Sequence, residues 1–292
     1  MKNPVIGFIG LGLMGLKMVE CLQSNGIKPI VMGRKKDILD SVVVKGATVA
    51  ATGKELAEKC DIIMICVTTS DVVEELIYGD DGILSGVKEG AVVIDFGTSI
   101  PASTKKIGAD LAAKGAGMID APLGRTPAHA KDGLLNIMAA GDKENFEKVE
   151  PTLNILGENI FYLGALGAGH TTKLINNFMG MTSVSSMSQA FAVAELAGVD
   201  RNKLYDIMSI GPSNSPFMAF AKNYAVDGVS DLRFSIANAN KDISYFLEMA
   251  EGLGTRSEIA EGTSNNLKAA VDAGMGQGNV PEIFDYFLEL KK

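Results

Sequence analysis

The chain has 292 residues, of which 47% are hydrophobic, and carries a formal net charge of −8. That length predicts two domains with ordinary cores, and the acidic balance excludes a nucleic-acid partner, whose phosphates demand clustered Lys and Arg. Three cysteines, Cys21, Cys60 and Cys66, stand at unpaired spacings in apolar surroundings, the pattern of buried reduced thiols in a cytoplasmic protein rather than of a disulfide framework.

Residues 4–9 (Pro-Val-Ile-Gly-Phe-Ile) read as a short buried strand. Lys2 ahead of this apolar run resembles the start of a signal peptide, but Gly7, Gly10, Gly12 and Gly15 break the run into a strand and a tight turn. Residues 14–24 are predicted helical, with Met14, Met18 and Leu22 at four-residue spacing and Gly26 as the stop. Short apolar runs recur at 27–32, 62–67, 91–95, 117–120 and 135–139, and helix-like segments such as 54–59 and 103–114 lie between them. Strands alternating with helices predict an α/β fold built on a mostly parallel sheet. Past residue 165 strand-like runs cease. Residues 170–197 contain no Pro and a single Gly, Gly180, so one long helix is predicted, apolar or small all round as in a helix buried between neighbours. Further helices are predicted at 201–209, 216–224, 236–251 and 257–273. No segment reaches the roughly 18 unbroken apolar residues of a membrane helix.

Gly10-Leu11-Gly12-Leu13-Met14-Gly15 fits G-x-G-x-x-G between a predicted strand and a predicted helix. Gly10 permits the tight turn, Gly12 lets a pyrophosphate approach bare backbone, and Gly15 packs helix on strand, while the helix N-terminus offers N–H groups and partial positive charge. The N-terminal part is therefore predicted to be a doubly wound Rossmann dinucleotide-binding domain over 1–164, followed by an all-α substrate and oligomerisation domain over 165–292. The ribose 2′ position is read about 20 residues beyond the loop. An NAD site carries a carboxylate there, but this chain has Gly33-Arg34-Lys35-Lys36. Arg34 and Lys36 suit a 2′-phosphate, which favours NADP over NAD; the alternative is a solvated basic turn with Arg34 stacked on adenine. Val67 and Thr68 end another strand-like run and are expected to border the adenosine half.

Three more segments resemble the β-hydroxyacid dehydrogenases, the family of 3-hydroxyisobutyrate dehydrogenase and tartronate semialdehyde reductase. Asp120-Ala-Pro122, continued by Ala130, Gly133, Leu135 and Ile137-Met138, is similar to their substrate loop; Gly167-Ala-Gly169-His-Thr-Thr-Lys173-Leu-Ile-Asn-Asn177 is similar to their catalytic segment; Lys241-Asp242 resembles a late pair that borders the cofactor. Where most members follow Asp-Ala-Pro with Ser-Gly-Gly, this chain has Leu123-Gly124-Arg125-Thr126, which looks like the sulfolactaldehyde reductase branch, also linked to succinic semialdehyde. That branch carries an Asp where this chain has Gly33. The resemblance implies reduction of a short anionic aldehyde, sulfolactaldehyde before succinic or tartronate semialdehyde, or oxidation of the matching hydroxy acid.

Lys173 is the expected general acid and base, its ammonium stabilising a growing alkoxide and protonating it; otherwise it is a solvated helix Lys. Asn177, four residues on, shares its helical face and can fix the Lys or hold a substrate hydroxyl, while Asn176 points about a hundred degrees away. Gly167 and Gly169 are expected to bring the loop close to cofactor or substrate. Arg125 is the expected reader of the substrate anion, with Thr126 donating its hydroxyl and Gly124 its N–H; the alternative is a surface Arg bridging to Asp132 or a neighbouring acid. Thr98 either lies near the nicotinamide or caps a helix, and Lys241 lies by the cofactor or in solvent. With His129 and His170 the only histidines, no metal is expected. The long apolar helix predicts a homodimer or homotetramer. An imine reductase and a non-catalytic NADP-binding regulator are the competing readings; Lys173 opposes the first, and Lys173, Asn177 and Arg125 together oppose the second.

Overall fold

The computed structural model describes residues 4–290; Lys2 lies outside them. Among the described residues the first part of the chain runs β1 (Ile6–Ile9), α1 (Leu13–Ser24), β2 (Ile30–Met32), α2 (Lys36–Val43), β3 (Thr48–Val49), α3 (Gly53–Ala57), β4 (Ile62–Ile65), α4 (Ser70–Tyr78), α5 (Ile83–Gly86), β5 (Val92–Asp95) and α6 (Pro101–Ala112). It continues through β6 (Gly117–Asp120), β7 (Leu123–Gly124), α7 (Pro127–Lys131), β8 (Leu135–Gly141), α8 (Lys143–Leu156) and β9 (Gly157–Tyr162). The strand order is β3-β2-β1-β4-β5-β6-β8-β7, with β9 paired to β8. Strands β1 to β6 pair in parallel; β6 and β7 both meet β8 antiparallel.

Side-chain alternation along the central strands explains the double winding. Ile6 and Phe8 of β1, Ile62 and Met64 of β4, and Val92 and Ile94 of β5 enter one hydrophobic layer with Met18 and Leu22 of α1 and Val149 and Leu153 of α8. Ile9, Ile63, Ile65 and Val93 point the other way, into a layer closed by Leu56 of α3, Val73 of α4 and Ile107 of α6. Strands apolar on both sides require helices on both faces. Each of these buried apolar side chains stabilises the fold by roughly 1.5–3 kcal/mol.

Helix α9 (Ala168–Leu196) follows, and the chain divides into two compact units inside it, between Lys173 and Leu174, rather than at the expected 164/165. The cause is local. Asp120, at the end of β6, accepts hydrogen bonds from the Gly167 N–H (2.8 Å) and the His170 N–H (2.7 Å). Thr104 of α6 bonds His170 Nδ1 at 2.8 Å. These ties fasten the approach to α9 and its first turn to the sheet.

The second unit is helical: the rest of α9, then α10 (Arg201–Ser209), α11 (Pro216–Asp227), α12 (Ile236–Gly252), α13 (Glu258–Ala270), a π-helical turn at Val271–Met275, and α14 (Ile283–Glu289). Its core includes Val184, Phe191, Ile236, Ile243 and Leu267. Asp200, Ser215, Ser235 and Ser257 cap α10 to α13 by accepting first-turn N–H bonds. Among the described residues no helix is long and apolar enough to cross a membrane.

Candidate active site

The site is built around the turn that leaves β1. Gly10 adopts φ +98°, a left-handed conformation that disfavours side chains. A Cβ on Gly10 would lie 2.3 Å from the Cys66 carbonyl oxygen, and one on Gly15 would lie 1.9 Å from the Gly10 oxygen. These two glycines pack turn, helix and neighbouring strand against each other. At Gly12 no atom lies within 4 Å of such a Cβ. Gly12 is also the N-cap of α1, with no side-chain cap, so bare backbone and the positive end of a helix are left for an anion.

A cleft of about 980 Å³ opens there, and Gly10, Leu11, Gly12, Leu13, Gly33, Arg34, Val67 and Thr68 line it. Glu75 and Asp81 line it as well. Of the predicted cofactor residues in this unit, Met14, Lys36 and Thr98 do not. Met14 packs against the first hydrophobic layer. Lys36 begins α2, and its side chain, 93% exposed, reaches along that helix to Asp40 at 4.0 Å; Lys35 lines the cleft instead. Burial pushes the Cys66 thiol up to about 12 and that of Cys60 likewise, which disfavours the reactive thiolate at both.

Lys173 lies half-buried in the second turn of α9. His170, one turn before it, is fully buried between two buried carboxylates: Nε2 is 3.6 Å from Asp95 Oδ2 and Nδ1 is 3.8 Å from Asp120 Oδ2. Asp95 also accepts from the Gly97 N–H (2.8 Å) and Ser99 Oγ (2.7 Å). Burial raises the Asp120 pKa, opposed by His170 and by the N–H donors of Gly167 and His170. A Cβ on Gly169 would meet the Met138 carbonyl at 2.3 Å and Asp120 Oδ2 at 2.8 Å, so this glycine packs its backbone closely on the sheet. Thr98 is half-buried and is not a helix cap, since Ile100 caps α6.

Gly124 ends β7 opposite Asn136 of β8. Arg125 follows with φ +77°. Its Nη1 donates to the Leu134 carbonyl at 2.6 Å and to Glu158 Oε2. Of the alternatives weighed for Arg125, the bridging acid is thus Glu158, not Asp132. The Thr126 hydroxyl bonds His129 Nδ1 at 2.7 Å. In the second unit, Asn177 Nδ2 donates to Asp242 Oδ2 at 2.6 Å, and Asp242 Oδ1 pairs with Lys241 Nζ at 2.8 Å. Lys241 also stands 4.7 Å from the centre of the Tyr245 ring. Asn176, expected to point away from Asn177, donates its Nδ2 to Asn177 Oδ1 at 3.3 Å.

Residues 5–164 match the NAD-binding domain of 6-phosphogluconate dehydrogenase, and residues 167–286 match the NAD-binding domain of NADP-dependent 3-hydroxyisobutyrate dehydrogenase. The chain is 33% identical to the Bacillus subtilis oxidoreductase YkwC, over 97% of this chain and 99% of that protein. It is 31% identical to Escherichia coli 3-sulfolactaldehyde reductase, over 93% of this chain and 92% of that one. The fold is similar to that of Salmonella typhimurium 3-hydroxyisobutyrate dehydrogenase, with a TM-score of 0.83 at 24% identity over 97% of this chain and 100% of the other. The chain belongs to the β-hydroxyacid dehydrogenase family.

As a β-hydroxyacid dehydrogenase it is an oxidoreductase with a nicotinamide dinucleotide cofactor, and the residues fit that group. The open space at Gly12 and the uncapped α1 are what a pyrophosphate needs, and Arg34 and Lys35 line the same cleft. Among the described residues no group of three or more His, Cys, Asp or Glu is placed to hold a metal ion. The sequence reading missed Glu158, which sits in a polar stretch with no motif, and the role of His170 in fastening α9, for which its place beside Gly169 was the available signal.

Proposed function

We propose that this β-hydroxyacid dehydrogenase reduces a short aldehyde with an anionic tail, 3-sulfolactaldehyde first, to the matching hydroxy acid with NADPH, and runs reversibly. Arg125 carries the reading. A left-handed backbone favours glycine, and an arginine there costs on the order of 1 kcal/mol, which a residue serving only solubility has no reason to bear. A planar guanidinium at that turn suits a sulfonate or carboxylate. Gly124 and Thr126 flank it as further donors.

Lys173 then works at the other end of the substrate. Its ammonium donates to the carbonyl oxygen, stabilises the negative charge that builds there, and passes its proton to that oxygen to leave an alcohol. The bound nicotinamide supplies the hydride. In oxidation the neutral amine takes the hydroxyl proton. Arg34 and Lys35, with no carboxylate at Gly33, support a 2′-phosphate and so NADPH.

Absorbance at 340 nm tests this, with NADPH and 3-sulfolactaldehyde, succinic semialdehyde, tartronate semialdehyde and neutral propanal, and with NADP+ and 3-hydroxyisobutyrate for the oxidative direction. Highest kcat/KM is expected for the sulfonate with NADPH. Equal rates on neutral aldehydes refute the anion reading, and a strong NADH preference refutes the cofactor reading. The second unit is also proposed to self-associate into a dimer or tetramer, because α9 exposes Ile175, Met179, Val193 and Leu196. A monomer in sedimentation velocity would refute that.

A further inference from the structure

We propose that Glu158 is a specificity-determining residue: it aims and neutralises the Arg125 guanidinium, so that the enzyme selects aldehydes whose far end bears a single negative charge. This rests on the reading of Arg125 as the group that grips the substrate anion.

The first support is the pattern of donors. Nη1 of Arg125 donates twice, to the Leu134 carbonyl and to Glu158, which uses both of its hydrogens. Nε and Nη2 make no hydrogen bond with any described residue. Their N–H bonds run parallel, and that edge of a guanidinium takes two oxygens of one anion at once. The protein thus holds one edge and leaves the bidentate edge open.

The second support is how Glu158 comes to be there. Strand β8 pairs Leu135 with Gly157 but Asn136 with Asn159, so Glu158 is an extra residue in β9. Such a bulge re-aims the side chain it carries. Asn136 pairs with Gly124 on its other edge, so the bulge and the Arg125 turn flank the same rung of the ladder. Asn159 Nδ2 bonds Asn136 Oδ1 at 2.9 Å and secures that rung. The left-handed conformation of Arg125 supplies the last part of the aim.

Charge then decides the substrate class. The Arg125–Glu158 pair has no net charge. One negative charge at the open edge meets the guanidinium directly, with the carboxylate behind it. A second negative charge finds no unmatched cation in the pair and meets the Glu158 carboxylate as well. A sulfonate or carboxylate is favoured and a phosphate ester disfavoured.

The test uses the full-length enzyme, NADPH at pH 8, and two substrates with the same three-carbon hydroxyaldehyde frame: 3-sulfolactaldehyde, a monoanion, and glyceraldehyde 3-phosphate, a dianion at that pH. Glu158→Gln keeps an oxygen for Nη1 and removes the charge. Its KM for sulfolactaldehyde should stay within about threefold of wild type, while the ratio of kcat/KM, phosphate over sulfonate, rises about tenfold. Glu158→Ala also removes the aim, so its KM for sulfolactaldehyde should rise about fivefold or more with kcat nearly unchanged. The Glu158 side chain is 50% exposed, so both variants are expected to melt like wild type. An unmoved ratio in Glu158→Gln, or a KM in Glu158→Ala at or below wild type, overturns the proposal. Arg125→Ala separates the two levels: if it leaves the KM for sulfolactaldehyde unchanged, the anion reading itself is wrong, whatever Glu158 does.

Discussion

Adding one methyl group at each of the three loop glycines separates folding from cofactor binding. In Gly15→Ala the new carbon would sit 1.9 Å from the Gly10 carbonyl oxygen and 3.0 Å from Phe8 Cε1. The first neighbour is backbone and cannot swing aside, so α1 must lift from β1, an overpacking cost of roughly 1–3 kcal/mol with the upper end expected. Gly10→Ala meets the Cys66 carbonyl at 2.3 Å and adds left-handed strain of about 1–2 kcal/mol. Gly12→Ala meets nothing within 4 Å and has φ −78°, so its stability should fall by no more than about 1 kcal/mol, the cost of Ala over Gly at an N-cap. Its methyl instead fills the space through which a pyrophosphate reaches the backbone. Losing one charge-assisted hydrogen bond of about 1.5–3 kcal/mol weakens cofactor binding roughly tenfold or more. Urea unfolding followed by circular dichroism gives the stabilities. NADPH fluorescence titration gives the affinities, and with no Trp in the chain that signal needs no correction for tryptophan emission. If Gly12→Ala destabilises as much as Gly15→Ala, or binds NADPH like wild type, the division of labour among the three glycines is refuted.

Replacing the proposed acid, Lys173→Ala, should lower kcat about a hundredfold or more with cofactor affinity little changed; a near-normal kcat in stopped-flow or steady-state assays excludes it as the proton donor. Asp120 is held by burial above its ordinary carboxylate pKa, so the folded chain keeps that proton more tightly than the unfolded chain. Its contribution to stability is whole below the unfolded value and falls away as pH rises through the raised folded value. Asp120→Asn does not titrate and should flatten that part of the urea-stability profile, while offering one acceptor to two N–H donors should cost roughly 1–3 kcal/mol at neutral pH; an unchanged slope refutes the assignment. The thiols of Cys60 and Cys66, both pushed up to about 12, should resist a disulfide reagent at pH 8 in the native protein and react fully in urea; rapid native labelling of either contradicts that protection.

What was legible in the sequence is what local periodicity and local chemistry decide. The apolar runs at 62–67 and 91–95 announce strands buried on two faces, and Ile62 to Ile65 do split between two layers. Helix α10 spans 201–209 as expected, because Asp200 caps its start by a bond that needs only two or three residues. Where termination depends on less regular backbone, the reading overshoots: 257–273 was expected as one helix, but α13 ends at Ala270 and a π-helical turn with Gly274 at φ +88° follows. Helix α8 keeps Pro151 inside it, because tertiary packing of Phe146, Val149 and Leu153 outweighs the lost N–H bond.

Polar partners are the least legible of all, for a reason the Arg125 turn makes plain. Sequence proximity offered Asp132 as its acid. The fold supplies Glu158, 33 residues away, through a bulge that no periodicity announces. A hydrophobic side chain accepts any apolar neighbour of the right volume, so its pattern can be read without knowing which neighbour it meets. A guanidinium needs one acceptor at one distance and angle, and only the assembled ladder brings that acceptor there. The same holds for Asp120 and the first turn of α9. Residues that set specificity are therefore expected to hide in unremarkable polar segments such as 157–159, while those that hold the dinucleotide stand in the open as glycines.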